Sequence, residues 1–178
     1  TVCFNAAATL SDAVQSVLSQ VPAPDATFDL EYIVVDGGST DGTLDVLAPF
    51  RDRIATLISE PDRGLYDAMN KGIRAATGDV VAILNADDVY ASTDVLAQVA
   101  HAFTAYGTDA VYGDLNYVAA DNLLQVTRRW RSGAYSPGAF RRGWMPPHPS
   151  LFVRRACYNR WGMFNLSLRS ASDYELML

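Results

Sequence analysis

The chain has 178 residues, of which 49% are hydrophobic and 19% charged, with a formal net charge of −6. That length sustains one domain with its own core, and so much apolar character excludes an intrinsically disordered chain. Two cysteines, Cys3 and Cys157, are too few for a disulfide scaffold and sit in no zinc-like spacing, which fits a reducing, cytoplasmic setting. Thr1-Val2-Cys3-Phe4 reads as the end of a strand with no initiator Met and no signal peptide ahead of it, as in a trimmed chain. Thr9-Leu10-Ser11-Asp12 is a capping-box-like start, with Asp where Glu is usual. Leu10, Ala13, Val14, Val17 and Leu18 then recur at helical spacing until Pro22 and Pro24. The continuous apolar run Tyr32-Ile33-Val34-Val35 suits a buried parallel strand, and the turn-rich stretch from Asp36 to Gly42 follows it. A short helix is expected through Leu44 and Leu47, ending by Pro49, and a third strand from Ile54 to Ile58. After Pro61-Asp62-Arg63-Gly64, the residues Leu65, Ala68, Met69, Gly72, Ile73 and Ala76 mark an amphipathic helix with Gly78 as its C-cap. Val80 to Leu84 is the fourth strand, and Val95, Leu96, Val99, Ala102 and Phe103 make the next helix. Strand followed by helix, four times over, predicts an α/β fold with a largely parallel sheet.

After Gly107 the pattern changes. Ala110–Val118 and Leu123–Trp130 read as strands joined by an Ala-Asp-Asn turn. Residues 131–149 form a long Gly/Pro/Arg-rich loop, and loops of that length are usually functional. Ser150–Val153 is a short strand, and Asp173–Leu178 is a helix within which the chain stops. No apolar run approaches the roughly 18–20 residues that cross a bilayer.

In open parallel sheets, ligands bind at the C-terminal ends of the strands. Asn5 follows strand one, Asp36 strand two, Asp62 and Arg63 strand three, and Asn85-Ala86-Asp87-Asp88 strand four, so all of them converge on one edge. Adjacent carboxylates at a strand end can hold Mg²⁺ or Mn²⁺ while a diphosphate fills the remaining positions; a polar turn capped by Asp88 is the plainer reading of the same pair. No G-x-G-x-x-G follows strand one, and neither a P-loop nor a G-x-S-x-G elbow is present. Charge is uneven. Residues 1–127 carry five bases against 18 acids, and residues 128–178 carry nine arginines against Asp173 and Glu175. The acidic first part argues against a nucleic-acid partner. The asymmetry suits a metal and a phosphorylated ligand, or else two parts that balance each other across the fold.

The runs from Glu31 to Thr43 (EYIVVDGGSTDGT), from Asp62 to Ile73 (DRGLYDAMNKGI) and from Leu84 to Asp88 (LNADD) resemble family 2 glycosyltransferases. The resemblance extends over Thr1–Leu178 and is most specific in the first 90 residues. It implies a GT-A fold, with a mostly parallel central sheet flanked by helices. It also implies a nucleotide-diphosphate sugar donor, a divalent cation, and an inverting transfer to an acceptor hydroxyl in polysaccharide or glycolipid assembly. Residues 1–107 would form the nucleotide-sugar-binding half and residues 108–178 the acceptor-side half of the same domain, its C-terminal portion truncated. Asp36 resembles the carboxylate that contacts the donor's base or ribose. Asp87 and Asp88 resemble the metal and diphosphate motif, Asp173 the catalytic base, and His148 a histidine before the penultimate strand. Two positions depart from the family pattern: Gly37 stands where many members have a second acid, and Asn85 where many have an acid.

The donor-contacting candidates are thus Asn5, Asp36, Asp67, Lys71, Asn85, Asp87 and His148; Asp87 and Asp88 are the metal candidates, and Asp173 is the catalytic one. Each has a plain alternative: helix capping for Asp173, a solvated helix face for Lys71 and Asp67, a structural hydrogen bond for His148. Arg63, like Lys71, could neutralise the diphosphate, Asn70 lies one residue off the apolar stripe with the same two readings as Lys71, and Glu175, the alternative base, lies two residues past Asp173, on another helix face. At least two of Trp130, Trp144 and Trp161 are expected in the core, and both cysteines as small buried hydrophobes. The arginines after residue 127 fit a phosphorylated or lipid-linked acceptor, or docking on the inner face of an anionic membrane. A sugar nucleotidyltransferase is disfavoured because Asn5-Ala6-Ala7-Ala8 has neither glycine nor a base to grip a triphosphate. A non-catalytic nucleotide-sugar binder would keep the cleft but lack a working base.

Overall fold

A computed structural model describes residues 1–178. Eight strands and six α-helices follow in chain order: β1 (Val2–Cys3), α1 (Leu10–Leu18), β2 (Ile33–Asp36), α2 (Thr43–Leu47), β3 (Thr56–Ser59), α3 (Leu65–Ala75), β4 (Val80–Ala82), α4 (Val95–Tyr106), β5 (Ala110–Tyr112), β6 (Leu115–Ala119), β7 (Asn122–Trp130), β8 (Leu151–Arg154), α5 (Arg155–Trp161) and α6 (Ser172–Met177). β2 is the centre of the parallel part. It pairs with β1, Val2 opposite Val35 and Cys3 opposite Asp36, and with β3, Asp36 opposite Ser59. A parallel bridge between Val2 and Asn85 joins β1 to the stretch just after β4. β8 then lies antiparallel between β4 and β5. β6 and β7 form a separate two-stranded hairpin.

All four residues of β2 are buried, as a continuous apolar run predicts for a strand covered on both faces. Side-chain alternation divides them between two layers. Val34 packs with Leu10, Val14, Val17 and Leu18 of α1 and with Leu47 of α2. Ile33 and Val35 pack on the other face with Ala68, Met69 and Ile73 of α3, joined by Val81, Tyr158 and Phe164. A cavity of about 610 Å³, mainly apolar, is lined by the stretches leading into β2 and β4, by those strands themselves and by helix α4.

Several local expectations are corrected. Thr9 makes no side-chain cap on α1; the turn is closed by the amides of Thr9 and Leu10 on the Ala6 carbonyl. Gly78 does not end α3. Ala76 leaves the helix in extended conformation, and the Glu31 carboxylate accepts the amides of Thr77 (2.8 Å) and Gly78 (3.1 Å). Pro49 does not stop the second helix but sits early in a 3-10 continuation over Ala48–Arg53, where a missing N–H costs little. The strand expected over 110–118 breaks at Gly113-Asp114, where the Gly113 amide bonds Ser150 and the Gly113 carbonyl accepts both Ser132 Oγ and Ser150 Oγ. Helix α5, unanticipated, buries only Tyr158 and so carries no apolar stripe to announce it. None of the tryptophans is in the core: Trp161 is 66% exposed, and Trp130 and Trp144 are half-buried. Cys3 is buried, but Cys157 is only half-buried. No helix is long and apolar enough to cross a membrane.

Candidate active site

The tips of β1 and β2 are stitched together by short polar side chains. Asp36 ends β2 fully buried. Its carboxylate accepts Ser59 Oγ at 2.7 Å, Ser39 Oγ, and the amides of Ser39 and Gly38 at 3.2 Å. Burial alone would raise its pKa, but these hydrogen bonds outweigh burial and hold it below the ordinary carboxylate value. The same carboxylate lies near the Cys3 thiol, which burial, and then that charge, push up to about 12. Asn5 adopts a left-handed backbone with φ 49°, and Asn tolerates that region better than most residues. It donates its amide to Ser39 Oγ (2.8 Å) and accepts the Thr40 amide on Oδ1 (2.9 Å). Asp41 holds the Ala7 amide at 3.1 Å. Thus Asp36 lies under the loop and orders it, whereas Asn5 is on its surface.

A Cβ at Gly37 would collide with the Asp62 carboxylate and reach 3.3 Å from the Phe4 ring, so a side chain there requires Asp62 to move. Asp62 is fixed by the Gly64 amide at 2.7 Å. The space an acid at position 37 would need is therefore already filled by an acid from the loop after β3.

The third group stands at the tip of β4. The bridge to Val2 sets Asn85 beside β1, and its Nδ2 donates to Asp88 Oδ2 at 2.9 Å. Its Oδ1 is buried without any hydrogen-bond partner, an uncommon and costly state for an amide oxygen. Burial, and then the neighbouring charge of Asp87, raise the pKa of Asp88. Asp87 itself is exposed. No group of three His, Cys, Asp or Glu side chains is placed to enclose a metal, so the chain offers two carboxylates and one free amide oxygen. These hard oxygen donors, with like charges held side by side, fit a divalent cation that draws its other ligands from a bound molecule.

A second cluster joins α3 to the end of the chain. Tyr66 Oη donates to Asp173 Oδ1 at 3.1 Å. The Tyr66 ring stacks on Phe164 (centroids 5.3 Å, 15° between planes), and His148 meets Phe164 edge-on at 5.5 Å. Burial lowers the pKa of His148, while the charge of Asp173 acts against that shift. Phe164 is locked by Asn70, whose side chain donates to the Phe164 carbonyl (2.8 Å) and accepts its amide (2.9 Å). α6 is pinned by Ser172 Oγ, which accepts the Asn165 amide (2.7 Å), and by Tyr174 Oη on the Phe140 carbonyl (2.6 Å). Glu175 is exposed and points to Asn165.

The structure thus brings Asn5, Asp36, Asn85, Asp87 and Asp88 to one edge and sets His148 against Phe164, within reach of the Asp173 charge. It does not present Asp67 or Lys71 as free groups. Asp67 is buried and holds the Arg63 amide (3.1 Å) and guanidinium (3.2 Å). Lys71 Nζ pairs with Glu60 and the Pro61 carbonyl, both at 2.9 Å. Asn70 is wholly engaged with Phe164. Sequence reasoning missed Tyr66 and Phe164. The signal for Tyr66 was its place in the first turn of a helix that follows a strand tip; Phe164, far from any motif, offered none.

A parallel sheet covered by helices on both faces, with paired carboxylates at the tip of one strand, is the architecture of nucleotide-sugar enzymes of the GT-A class. Residues 1–170 match glycosyl transferase family 2, and the chain belongs to that family. It is 34% identical to a PGL/p-HBAD biosynthesis glycosyltransferase of Mycobacterium bovis, over 97% of this chain and 64% of that protein. It is 32% identical to an uncharacterized glycosyltransferase of Mycobacterium tuberculosis, over 94% of this chain and 63% of that one. The chain therefore spans just under two thirds of these relatives. Among solved structures, S. aureus TarS 1–349 in complex with UDP superposes with a TM-score of 0.75 at 18% identity, covering 98% of this chain and 52% of that one. The mannosyltransferase PcManGT of Pyrobaculum calidifontis, in complex with GDP-Man and Mn²⁺, superposes with a TM-score of 0.73 at 23% identity, covering 98% and 48%. Both likenesses are in fold.

Proposed function

We propose that this chain carries the donor site and catalytic base of an inverting glycosyltransferase, which moves a sugar from a nucleotide diphosphate to an acceptor hydroxyl in glycolipid or polysaccharide assembly. The observation that carries the reading is the tip of β4, where Asp87, Asp88 and the unpartnered Asn85 Oδ1 stand together beside β1. In this reading the donor's nucleoside rests on the loops stitched by Asn5, Asp36 and Ser39, with Asp62 beside Gly37, and its diphosphate lies toward Asp87 and Asp88. Those two residues would hold a divalent cation, which when bound supplies positive charge where the leaving diphosphate gains negative charge.

The chain's own residues supply the rest. The acceptor oxygen attacks the anomeric carbon from the face opposite the diphosphate, its bond to carbon forming as the carbon–oxygen bond to phosphate breaks. Asp173 accepts the hydroxyl proton. One displacement inverts the stereocentre, so a single base is sufficient. Tyr66 holds Asp173 in place, and His148 and Phe164 wall that side of the site. The reading is supported by family membership and by structural neighbours solved in complex with UDP, or with GDP-Man and Mn²⁺.

The test is thermal shift against UDP, GDP and their sugars, with and without Mn²⁺, since a ligand that binds only the folded state raises its melting temperature. A Mn²⁺-dependent rise with one nucleotide, lost in Asp87→Asn and kept in Asp173→Asn, is expected. No rise with any nucleotide overturns the donor assignment. Transfer by Asp173→Asn at the parent rate overturns the base assignment.

A further inference from the structure

The hairpin β6–β7 carries none of the residues assigned above to the donor, the cation or the proton. Cross-strand pairs set Leu115 opposite Trp130, Tyr117 opposite Arg128 and Val118 opposite Val126. Every residue of β7 except Trp130 is exposed. Leu124 is 93% exposed, Leu123 43%, Tyr117 41% and Val126 38%. A lone two-stranded sheet is marginal in water, and one that shows large apolar side chains near its tip marks a contact surface. Arg128, Arg129 and Arg131 at its base, with Arg141 and Arg142 in the loop beyond, are all exposed. None of the five makes an ion pair; the salt bridges of the chain lie elsewhere. Arg128 lies over the Tyr117 ring at 5.0 Å. Between residues 110 and 172 the only acids are Asp114 and Asp121, and Asp114 is engaged by the Ser132 amide at 2.9 Å. Tyr135, 54% exposed, stands over Trp144 in the same loop.

We propose that this hairpin and the arginine-bearing loop after it form a docking surface for an anionic lipid bilayer. Exposed leucines near a tip enter the acyl boundary, arginines behind them meet phosphate headgroups, and Trp and Tyr favour the interface. Charge weighs against a second copy of the chain. A two-fold contact sets a patch against itself, which would place ten exposed arginines in one interface with only Asp121 of each copy, in the hairpin turn, left to offset them. The inference is independent of the donor site and stands or falls without it.

Co-sedimentation of the chain with phosphatidylcholine vesicles, with and without phosphatidylglycerol, tests it. Binding is expected only with phosphatidylglycerol and should fall as salt is raised. Each arginine at the surface contributes about fivefold in affinity, so Arg128→Glu with Arg129→Glu should weaken binding about 25-fold or more. Leu124→Ser should weaken it without changing the salt dependence. Arg74→Glu, an equal kind of charge change on α3, should leave it unaltered. Circular dichroism and melting temperature establish that each variant is folded. Absence of binding, equal binding to both vesicles, equal loss in Arg74→Glu, or a dimer that Leu124→Ser dissolves would each overturn the proposal.

Discussion

Tyr66 and Asp173, 107 positions apart, meet through a single hydrogen bond of 3.1 Å, and it ties the first turn of α3 to the first turn of α6. The carboxylate is thereby held by a residue from the helix that follows β3. Burial, and then the Asp173 charge, raise the pKa of the phenol, so it stays a donor across the working range. Replacing it by Phe keeps the stack on Phe164 and deletes the bond. Since hydrogen bonds to charged groups contribute about 1.5–3 kcal/mol, Tyr66→Phe should lower kcat about tenfold. The nucleotide-induced thermal shift should stay at the parent level. A kcat equal to the parent's would show that Asp173 is positioned by other contacts.

Asp36 gives a pH signature. Its folded-state pKa lies below the ordinary 3.8, so between those values the unfolded chain binds the extra proton. The stability it contributes is fully present above the ordinary value and is lost as pH falls through the depressed one. Asp36→Asn should cost about 2 kcal/mol at neutral pH, roughly 4–8 °C in melting temperature. The gap to the parent should close on acidification below 3.8. A pH-independent gap in a series of melting curves would count against this.

Asp88 runs the other way. Its pKa is raised above 3.8, so the folded chain holds the extra proton in the window above that value and stability declines as pH rises through it. Asp88→Asn keeps an acceptor for Asn85 and removes the charge. Without metal it should melt roughly 1–3 °C higher at neutral pH. Mn²⁺ should raise the parent's melting temperature and leave the variant's unmoved. Equal response of both to Mn²⁺ would place the cation elsewhere.

Gly37 and Asp62 form a coupled pair. Gly37→Ala drives a methyl group into the Asp62 carboxylate, and overpacking of this kind costs about 1–3 kcal/mol. In an Asp62→Ala background the same substitution should cost less, and the difference read from denaturant melts is the coupling energy. Additive costs would mean that Asp62 swings aside freely.

The elements most legible in the sequence were those whose pattern is local. Val34 and Val35 in a run without polar breaks gave β2, and Ala68, Met69 and Ile73 at helical spacing gave α3. The strand-tip groups Asn5, Asp36 and Asn85 were placed by topology alone. What was hidden depends on which partner a polar side chain takes. Asp67 turns to Arg63 four positions earlier and Lys71 to Glu60 eleven positions earlier, although helical spacing alone leaves both free to face a ligand. Phe164 becomes part of the site only because Asn70 fixes its backbone across 94 positions. The missing cap at Thr9 has the same origin, since the Ala6 carbonyl, placed by loop contacts, closes that turn instead.

The position of β8 bears on how the molecule must assemble. This strand, made after both of its neighbours, inserts between β4 and β5, whose residues emerge about 40 to 70 positions earlier. Until then those two strands have no neighbour on that side, and their edges are open to mispairing. Formation of the sheet therefore waits on distant closure, which slows folding. A nascent chain halted before Leu151 would expose two unpaired apolar strands, a natural substrate for a chaperone.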